Sequence, residues 1–190
     1  ALPIFEYVYT LKSNDYMVGY NMNFVQMDSI ITPGSKVEML VNMLYPSQEK
    51  HIEKEKQIAT IYYCNKKGST DNLSQTSSDS TTITDIEMKW IALKQQFFST
   101  VLINDDLFDT GTKLKVSTFE NEKNPQPELQ ARFVKSAELK VVLPDPLVKN
   151  SYSLKYYFGP NHYLTLKDYD LGMEEMIPMG WSVFSYINKW

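Results

Sequence analysis

The side chains that most often carry catalysis are sparse in this sequence. There are two histidines, His51 and His162, and one cysteine, Cys64. Spacing alone is compatible with a Ser-His-Asp arrangement, but neither a nucleophile-elbow pattern nor a His-Glu-x-x-His motif is present. His51 lies in a charged run. His162 follows Pro-Asn in a turn, where a lone histidine more often caps or packs locally than binds a metal. We therefore expect no catalytic residue.

Two acidic groups could in principle bind a cation or transfer protons. Asp105, Asp106 and Asp109 resemble a fragment of a calcium-binding loop, but the alternating carboxylates, the glycine and the final glutamate of such a loop are missing. Glu174 and Glu175 are adjacent, and adjacent residues of a helix do not face each other. Solvation, or pairing with a helix N-terminus, is the expected role of this pair. We expect neither a metal site nor a cofactor.

Composition narrows the class of protein. The chain has 190 residues with 43% hydrophobic, 22% charged and 13% aromatic content, which is an ordinary globular composition with additional aromatics. The net charge is −4 and Arg132 is the one arginine, so nucleic acid is an unfavourable partner. A single cysteine excludes an internal disulfide and a four-cysteine metal site. Beside Tyr62 and Tyr63, Cys64 is expected to be a small apolar residue of a strand.

Apolar residues alternate with polar ones over several stretches, as they do in strands with one buried face. The pattern is clearest over residues 18–24, 37–45 and 133–143. Shorter strand candidates end at turn signals, and they cover residues 58–64, 114–119 and 151–158. Many strands separated by short turns predict an antiparallel β-sandwich with peripheral helices.

Three other stretches break the alternation. Ile86, Trp90, Leu93, Phe97 and Val101 are spaced four, three, four and four residues apart, which predicts a helix that Asp85 caps. Residues 47–56 are highly charged and indicate a solvated linker or one exposed helical turn. Residues 68–82 are rich in Ser, Thr and Asp, and we expect a mobile loop without site chemistry.

The last eleven residues are unusually aromatic. A helix beginning near Gly180 carries a narrow polar stripe of Ser182, Ser185 and Lys189 on an otherwise apolar cylinder. One interpretation is a terminal helix docked on the core. The other is an interfacial helix that lies on a membrane, with Lys189 pairing with lipid headgroups. In that case the membrane-interface residues are Trp181, Phe184, Ile187, Lys189 and Trp190.

A membrane-attached protein of this sequence would be a fragment. No window reaches the 18 to 20 uninterrupted apolar residues of a membrane span, and no signal peptide is present. The beginning, Ala-Leu-Pro-Ile-Phe, reads as the middle of a longer protein. We therefore expect a soluble fragment, divided into a sandwich domain at residues 1–179 and a juxtamembrane helix at residues 180–190.

Two blocks of sequence resemble a known family. They are residues 89–99, Lys-Trp-Ile-Ala-Leu-Lys-Gln-Gln-Phe-Phe-Ser, and residues 156–163, Tyr-Tyr-Phe-Gly-Pro-Asn-His-Tyr, continuing through 169–172 to 180–181. Both are similar to the large periplasmic domain of the YidC membrane protein insertases of Gram-negative bacteria. The resemblance covers most of residues 50–190 and is weak over residues 1–45.

The resemblance implies a β-supersandwich of the galactose-mutarotase-like type, between the first and second membrane spans of an inner-membrane protein. It implies that an amphipathic helix follows along the periplasmic membrane surface, where residues 180–190 match. Implied partners are the lipid surface, nascent membrane proteins and accessory subunits of the Sec translocon.

We therefore expect a non-enzymatic docking or chaperone-like domain of an insertase. A sugar-binding or sugar-converting sandwich is the alternative, and it rests on fold analogy alone. A third hypothesis, compatible with the first, is a module that binds extended, unfolded segments along a sheet edge or in a cleft.

Overall fold

Most of the chain forms β-strands. The computed structural model describes residues 2–119 and 127–178. Its strands are β1 Ile4–Leu11, β2 Met17–Val25, β3 Val37–Pro46, β4 Thr60–Asn65, β5 Thr70–Asn72, β6 Asp79–Thr82, β7 Met88–Lys94, β8 Phe98–Phe108, β9 Lys113–Thr118, β10 Phe133–Leu143 and β11 Ser151–Pro160. The helices are α1 Ile52–Ile58, α2 Pro127–Gln130, α3 Tyr163–Lys167 and a 3₁₀ helix, Met173–Met176. The six predicted strands, three from alternation and three shorter candidates, are confirmed, each to within about two residues at either end.

The strands form two antiparallel sheets of unequal width. Sheet A has seven strands in the order β1-β2-β11-β8-β7-β4-β5. Sheet B has four, in the order β3-β10-β9-β6. The predicted fold class, a mainly antiparallel β-sandwich, is therefore confirmed.

The two sheets pack face to face around one apolar core. β10 lies over β8, and β9 lies over β4. The inward side chains of β10 sit at every second position, as the alternation of residues 133–143 requires. The core includes Ile61, Ile91, Leu102, Leu114, Leu139 and Val141, all almost fully buried.

A second apolar cluster covers the outer face of sheet A. After β11 the chain turns back as α3 and the 3₁₀ helix, and it places Leu166, Met173 and Met176 against the sheet. Beneath them lie Trp90 and Ala92 of β7 together with outward residues of β4, β8 and β11. The central strands of sheet A are therefore buried on both faces.

The helix predicted over residues 86–101 is wrong. This stretch forms β7, a tight turn in which Gln95 N–H donates to the carbonyl oxygen of Phe98, and the beginning of β8. Asp85 therefore caps no helix. A strand buried on both faces is apolar at successive positions, so it loses the alternation that marks a half-buried strand. Trp90, Leu93 and Val101 of the predicted spacing reflect that burial, whereas Phe97 is exposed in the turn.

Two further expectations need correction. Residues 68–82 contain the short edge strands β5 and β6, where a loop without regular structure was predicted. The charged run at 47–56 was predicted to be a solvated linker or one exposed helical turn, and part of it forms the short helix α1. Glu55 of α1, however, is buried, and its carboxylate accepts hydrogen bonds from the main-chain N–H groups of Gln48 and Glu49. A carboxylate that satisfies neighbouring amides is stabilised despite its burial.

Candidate binding cleft

The predicted membrane-interface residues lie outside the part of the chain that the structure describes. This holds for Trp181, Phe184, Ile187, Lys189 and Trp190, and for the proposed boundary between residues 179 and 180. Among the described residues, no helix is both long enough and apolar enough to cross a bilayer. The interfacial helix stays a prediction.

The residues with potential chemistry have local structural roles. His162 is the N-cap of α3, where its Nδ1 faces the Thr165 hydroxyl at 2.9 Å and accepts from the Thr165 amide. The predicted capping role is thus confirmed. Cys64 is buried in β4, as predicted, and burial raises the pKa of its thiol, which disfavours the reactive thiolate.

The aspartates of the supposed calcium-loop fragment pair with lysines. Asp105 binds Lys155 at 2.5 Å, Asp106 contacts Lys149, and Asp109 binds Lys36 at 2.7 Å. The hydrogen bond from Lys36 is the main cause that lowers the pKa of Asp109. Within residues 2–119 and 127–178, no cluster of three or more His, Cys, Asp or Glu could hold a metal ion.

The most distinctive surface feature is a cleft between the sheets at the β1 end of the sandwich. Because sheet B is narrower, it leaves the inner face of β1 and part of β2 uncovered. All eight residues of β1 are exposed. The cleft has a volume of about 470 Å³, and its lining includes Phe5, Tyr7, Tyr20, Met22, Phe24 and Tyr156 from sheet A.

Aromatic contacts hold the floor of the cleft in place. The rings of Phe5 and Phe24 are 4.6 Å apart between centroids. Tyr7 and Tyr9 both stack on Tyr20, at 5.7 and 5.1 Å. Directly opposed strand residues bring these rings together, since Phe5 faces Phe24 and Tyr9 faces Tyr20 in the β1–β2 register. We call this set of five rings the aromatic shelf; four of them line the cleft, and Tyr9 supports Tyr20.

Strand β3 forms the opposite wall. Its inward residues Val37, Met39 and Val41 are only half-buried, although they belong to the core-facing row of sheet B. They line the cleft from above the aromatic shelf. The two sheet edges that border the cleft, β1 and β3, are both free of a further strand among the described residues.

The cleft is nearly uncharged at neutral pH. Burial, with the neighbouring Tyr7 and Tyr9, raises the pKa of Tyr20, so its hydroxyl stays protonated. Glu38 of β3 is the one carboxylate among the described lining residues, and it alternates with the inward row. Its ion pair with Lys140, 2.7 Å long, lies on the outer face of sheet B. Such a surface offers apolar area and hydroxyl groups, which suits contact with another polypeptide more than acid–base chemistry.

Sequence reasoning did not identify this cleft. Aromatic and apolar residues stand at every second position of residues 5–11, so β1 carried the alternation of a strand. This alternation predicts a strand. It could not have shown that sheet B would end before covering it, because the width of each sheet depends on long-range pairing.

Comparison with known proteins agrees with this fold. A family model described as the YidC periplasmic domain matches residues 4–190. The chain belongs to the YidC periplasmic domain family. Its match begins at the start of β1, so the likeness includes residues 4–45, where the resemblance read from the sequence was weak.

Several relatives named membrane protein insertase YidC align with nearly the whole chain. The relative from Parabacteroides distasonis is 29% identical over 194 residues, covering 97% of this chain and 29% of its own length. The relative from Bacteroides fragilis is 29% identical over 197 residues, with 97% and 30% covered. The one from Amoebophilus asiaticus is 28% identical over 186 residues, with 95% and 29% covered.

Membership in the YidC periplasmic domain family confirms the predicted location on the periplasmic face of the inner membrane of a Gram-negative bacterium. It also confirms the expected relation to membrane protein insertases. Nothing in the comparisons favours the sugar-binding alternative. The chain spans about 30% of the length of the relatives it matches.

Proposed function

We propose that this YidC periplasmic domain is a docking platform without catalysis of its own, which holds segments of nascent inner-membrane proteins during their insertion. The observation that carries the proposal is the open cleft, with the aromatic shelf as its floor and β3 as its wall. Insertion clients expose apolar segments before they are embedded. A cleft lined with aromatic and aliphatic side chains lowers the free energy of such a segment by removing its apolar surface from water.

The side chains of the aromatic shelf can contact client segments of varied sequence. Tyrosine offers a large apolar ring together with a hydroxyl, so it contacts many side chains with little loss of conformational entropy. The residues Tyr7 and Phe5 remain 52% and 42% exposed. This accessible area is expected to give weak, reversible contacts, which suit a client that must move on to the membrane.

Site-specific photo-crosslinking in the full-length protein tests the proposal. A photoreactive phenylalanine analogue replaces Tyr7 in the cleft, and in a control variant it replaces Phe97 of the β7–β8 turn. Phe97 is a matched control because it is 53% exposed and does not line the cleft. Ribosome-bound chains of an inner-membrane protein serve as the client.

We expect the Tyr7 position to crosslink to the client and the Phe97 position to give at most background. Equal crosslinking at both positions would mean that exposed apolar residues are contacted without selection. Absence of any crosslink at Tyr7 would reject the cleft as the client site.

We further propose that residues 180–190 form a helix on the bilayer surface, and that accessory subunits of the Sec translocon contact this domain. The resemblance to the family and the amphipathic pattern of the segment support the helix, and the resemblance alone supports the Sec contact. Trp181, Phe184, Ile187 and Trp190 would enter the interface, and Lys189 would face the headgroups. Co-purification of the Sec accessory subunits with the full-length protein, compared with a variant lacking residues 2–178, tests the second contact.

A further inference from the structure

The open edge of β3 has polar main-chain groups without described partners. Antiparallel pairing with β10 uses the N–H and C=O groups of alternate residues of β3, and the others point away from the sheet. No hydrogen bond to a described residue is found at this edge between Val37 and Tyr45. Next to an apolar cleft, such groups form a template for a further strand.

The edge also lacks the usual protection against pairing. The β3–β10 register runs without a bulge from Tyr45 opposite Lys135 to Val37 opposite Leu143. Proline appears only at the end, as Pro46, and β3 carries no lysine. Natural edge strands are commonly blocked by one of these devices. Their absence over nine residues leaves a regular edge that another strand can use.

The stacking of the sheets indicates where an added strand would lie. β10 lies over β8 of sheet A, so β3 lies over the neighbouring region of β11 and β2. One more strand beyond β3 would cover the shelf formed by β2 and β1. Its alternate side chains would then face Tyr7 and Tyr20, since neighbouring strands share one pleat.

We infer that the cleft takes an extended polypeptide segment as a fifth strand of sheet B, hydrogen-bonded to the open edge of β3. This inference rests on the proposed function and specifies the conformation of the client. The segment alternates apolar side chains, which contact the aromatic shelf, with polar ones, which face solvent. A strand added to β1 instead would extend sheet A away from the cleft and leave the half-buried row of β3 uncovered.

Charge on the outer face of sheet B specifies one more feature of the segment. Cross-strand ion pairs join Glu38 to Lys140 and Glu138 to Lys115 at 2.7 and 2.8 Å. Glu38 stands on the open strand, so its other side faces the position of the added strand. A lysine or arginine at an outward position of the segment would continue this row of alternating charge.

Synthetic nonapeptides and the 190-residue chain test the inference. The probe alternates valine or phenylalanine with threonine and has lysine at one outward position. Alternate amides of an extended peptide point to opposite edges. In one analogue the amides of one edge are N-methylated, and in the second analogue those of the other edge. Binding is measured by fluorescence anisotropy, and hydrogen exchange locates the protected amides.

We expect the probe to slow amide exchange in β3 and N-methylation of one edge to weaken binding by about tenfold or more. Each methylated amide on the edge that faces β3 loses its hydrogen bond to that strand. N-methylation of the other edge should leave the affinity within about threefold. Glu38→Gln should weaken the lysine peptide by about threefold, while the control variant Glu138→Gln should leave its affinity unchanged.

The outcomes separate the two proposals. Binding that tolerates N-methylation of either edge, or that protects β1 amides alone, would overturn strand addition at β3 and leave a docking cleft in place. Failure of the folded chain to bind any of the peptides would overturn both.

Discussion

The indole N–H of Trp90 donates a hydrogen bond to the main-chain carbonyl oxygen of Leu171 at 2.8 Å. Trp90 is fully buried in β7, and Leu171 lies between α3 and the 3₁₀ helix. This bond fastens the segment of residues 163–178, which we call the C-terminal strap, onto the outer face of sheet A. The strap shields the central strands from water, so its attachment contributes to the stability of the whole sandwich.

Replacement of Trp90 by Phe should destabilise the domain. The variant keeps an aromatic ring but loses the donor, which leaves the Leu171 carbonyl without its partner, and it creates a small cavity. We expect the free energy of unfolding to fall by about 2 kcal/mol. Urea unfolding followed by circular dichroism measures the change. The control variant Phe98→Leu, at a residue 56% exposed, should change stability by less than about 0.5 kcal/mol; equal effects would contradict the role of the bond.

Two buried lysines should make stability rise with pH. Lys135 reaches the carbonyl oxygens of Ala59 and Gln75, both at 2.8 Å, and burial lowers its pKa to about 8. Burial likewise lowers the pKa of Lys94 to about 8. In the unfolded chain both ammonium groups keep their protons to about pH 10.5, so the unfolded state binds more protons above pH 8. The free energy of unfolding should therefore increase by roughly 0.7 kcal/mol for each lysine between pH 7.5 and 8.5.

Two variants separate the contribution of Lys135 to the pH dependence of stability from the contributions of other titrating groups. Lys135→Met should reduce this pH slope to about half, because Lys94 is then the one buried lysine left. Cys64, whose pKa burial raises from 9.0, opposes the rise only weakly between pH 7.5 and 8.5. Lys115→Met, at an exposed lysine of β9, should keep the full slope. The tyrosines whose pKa burial raises, such as Tyr45, oppose the trend only above about pH 10. A slope that is unchanged in Lys135→Met would contradict the assignment.

The strap also holds the β1–β2 hairpin. The hydroxyl of Tyr169 donates to Asp15 Oδ1 at 2.7 Å and accepts from the Tyr16 amide at 3.3 Å. The bond from Tyr169 is the main cause that lowers the pKa of Asp15. In a Tyr169→Phe variant that pKa should rise towards its ordinary value, which a carbon-detected NMR titration of the carboxyl group measures. Tyr163→Phe is the matched control, and a Tyr169→Phe titration identical to wild type would show that the bond does not form in solution.

The segment of residues 180–190 should bind lipid. We expect the 190-residue chain to partition weakly into vesicles of mixed neutral and anionic lipid, since the one short helix proposed for this segment would bury little apolar area. The double variant Trp181→Ser and Phe184→Ser should lose this partition while its unfolding midpoint stays unchanged. Vesicle flotation and thermal unfolding check the two statements. If wild type and variant both remain with the aqueous fraction, the interfacial interpretation is wrong.

The sequence predicts those strands that have one buried face and one solvent-exposed face. β2, β3 and β10 alternate because a single side of each is buried against the opposite sheet, and that pattern is local. β7 and β8 do not alternate, because the strap covers the outward residues Trp90 and Val101 while the core covers Ile91 and Leu102. A segment some seventy residues further along the chain thus removed the local signal.

Residues 89–99 and 156–163 resemble the family through the order of their side chains rather than through their spacing. Both blocks now have a structural explanation, since they meet at the end of sheet A where Phe98 pairs with Pro160. Gly159 lies in this block because a Cβ there would come within 2.5 Å of the Tyr157 ring. The cleft had no comparable block, and its prediction would have required the order of strands in both sheets.

The strap has a mechanical consequence. Leu166, Met173 and Met176 lie in one buried cluster with residues of β11, β8, β7 and β4, so a displacement of the backbone at Pro178 would act on this shared cluster. Through Tyr169 and Asp15 the same displacement would reach the hairpin that carries the aromatic shelf. A force applied at this end of the domain would therefore load the central strands of sheet A and the β1–β2 hairpin together.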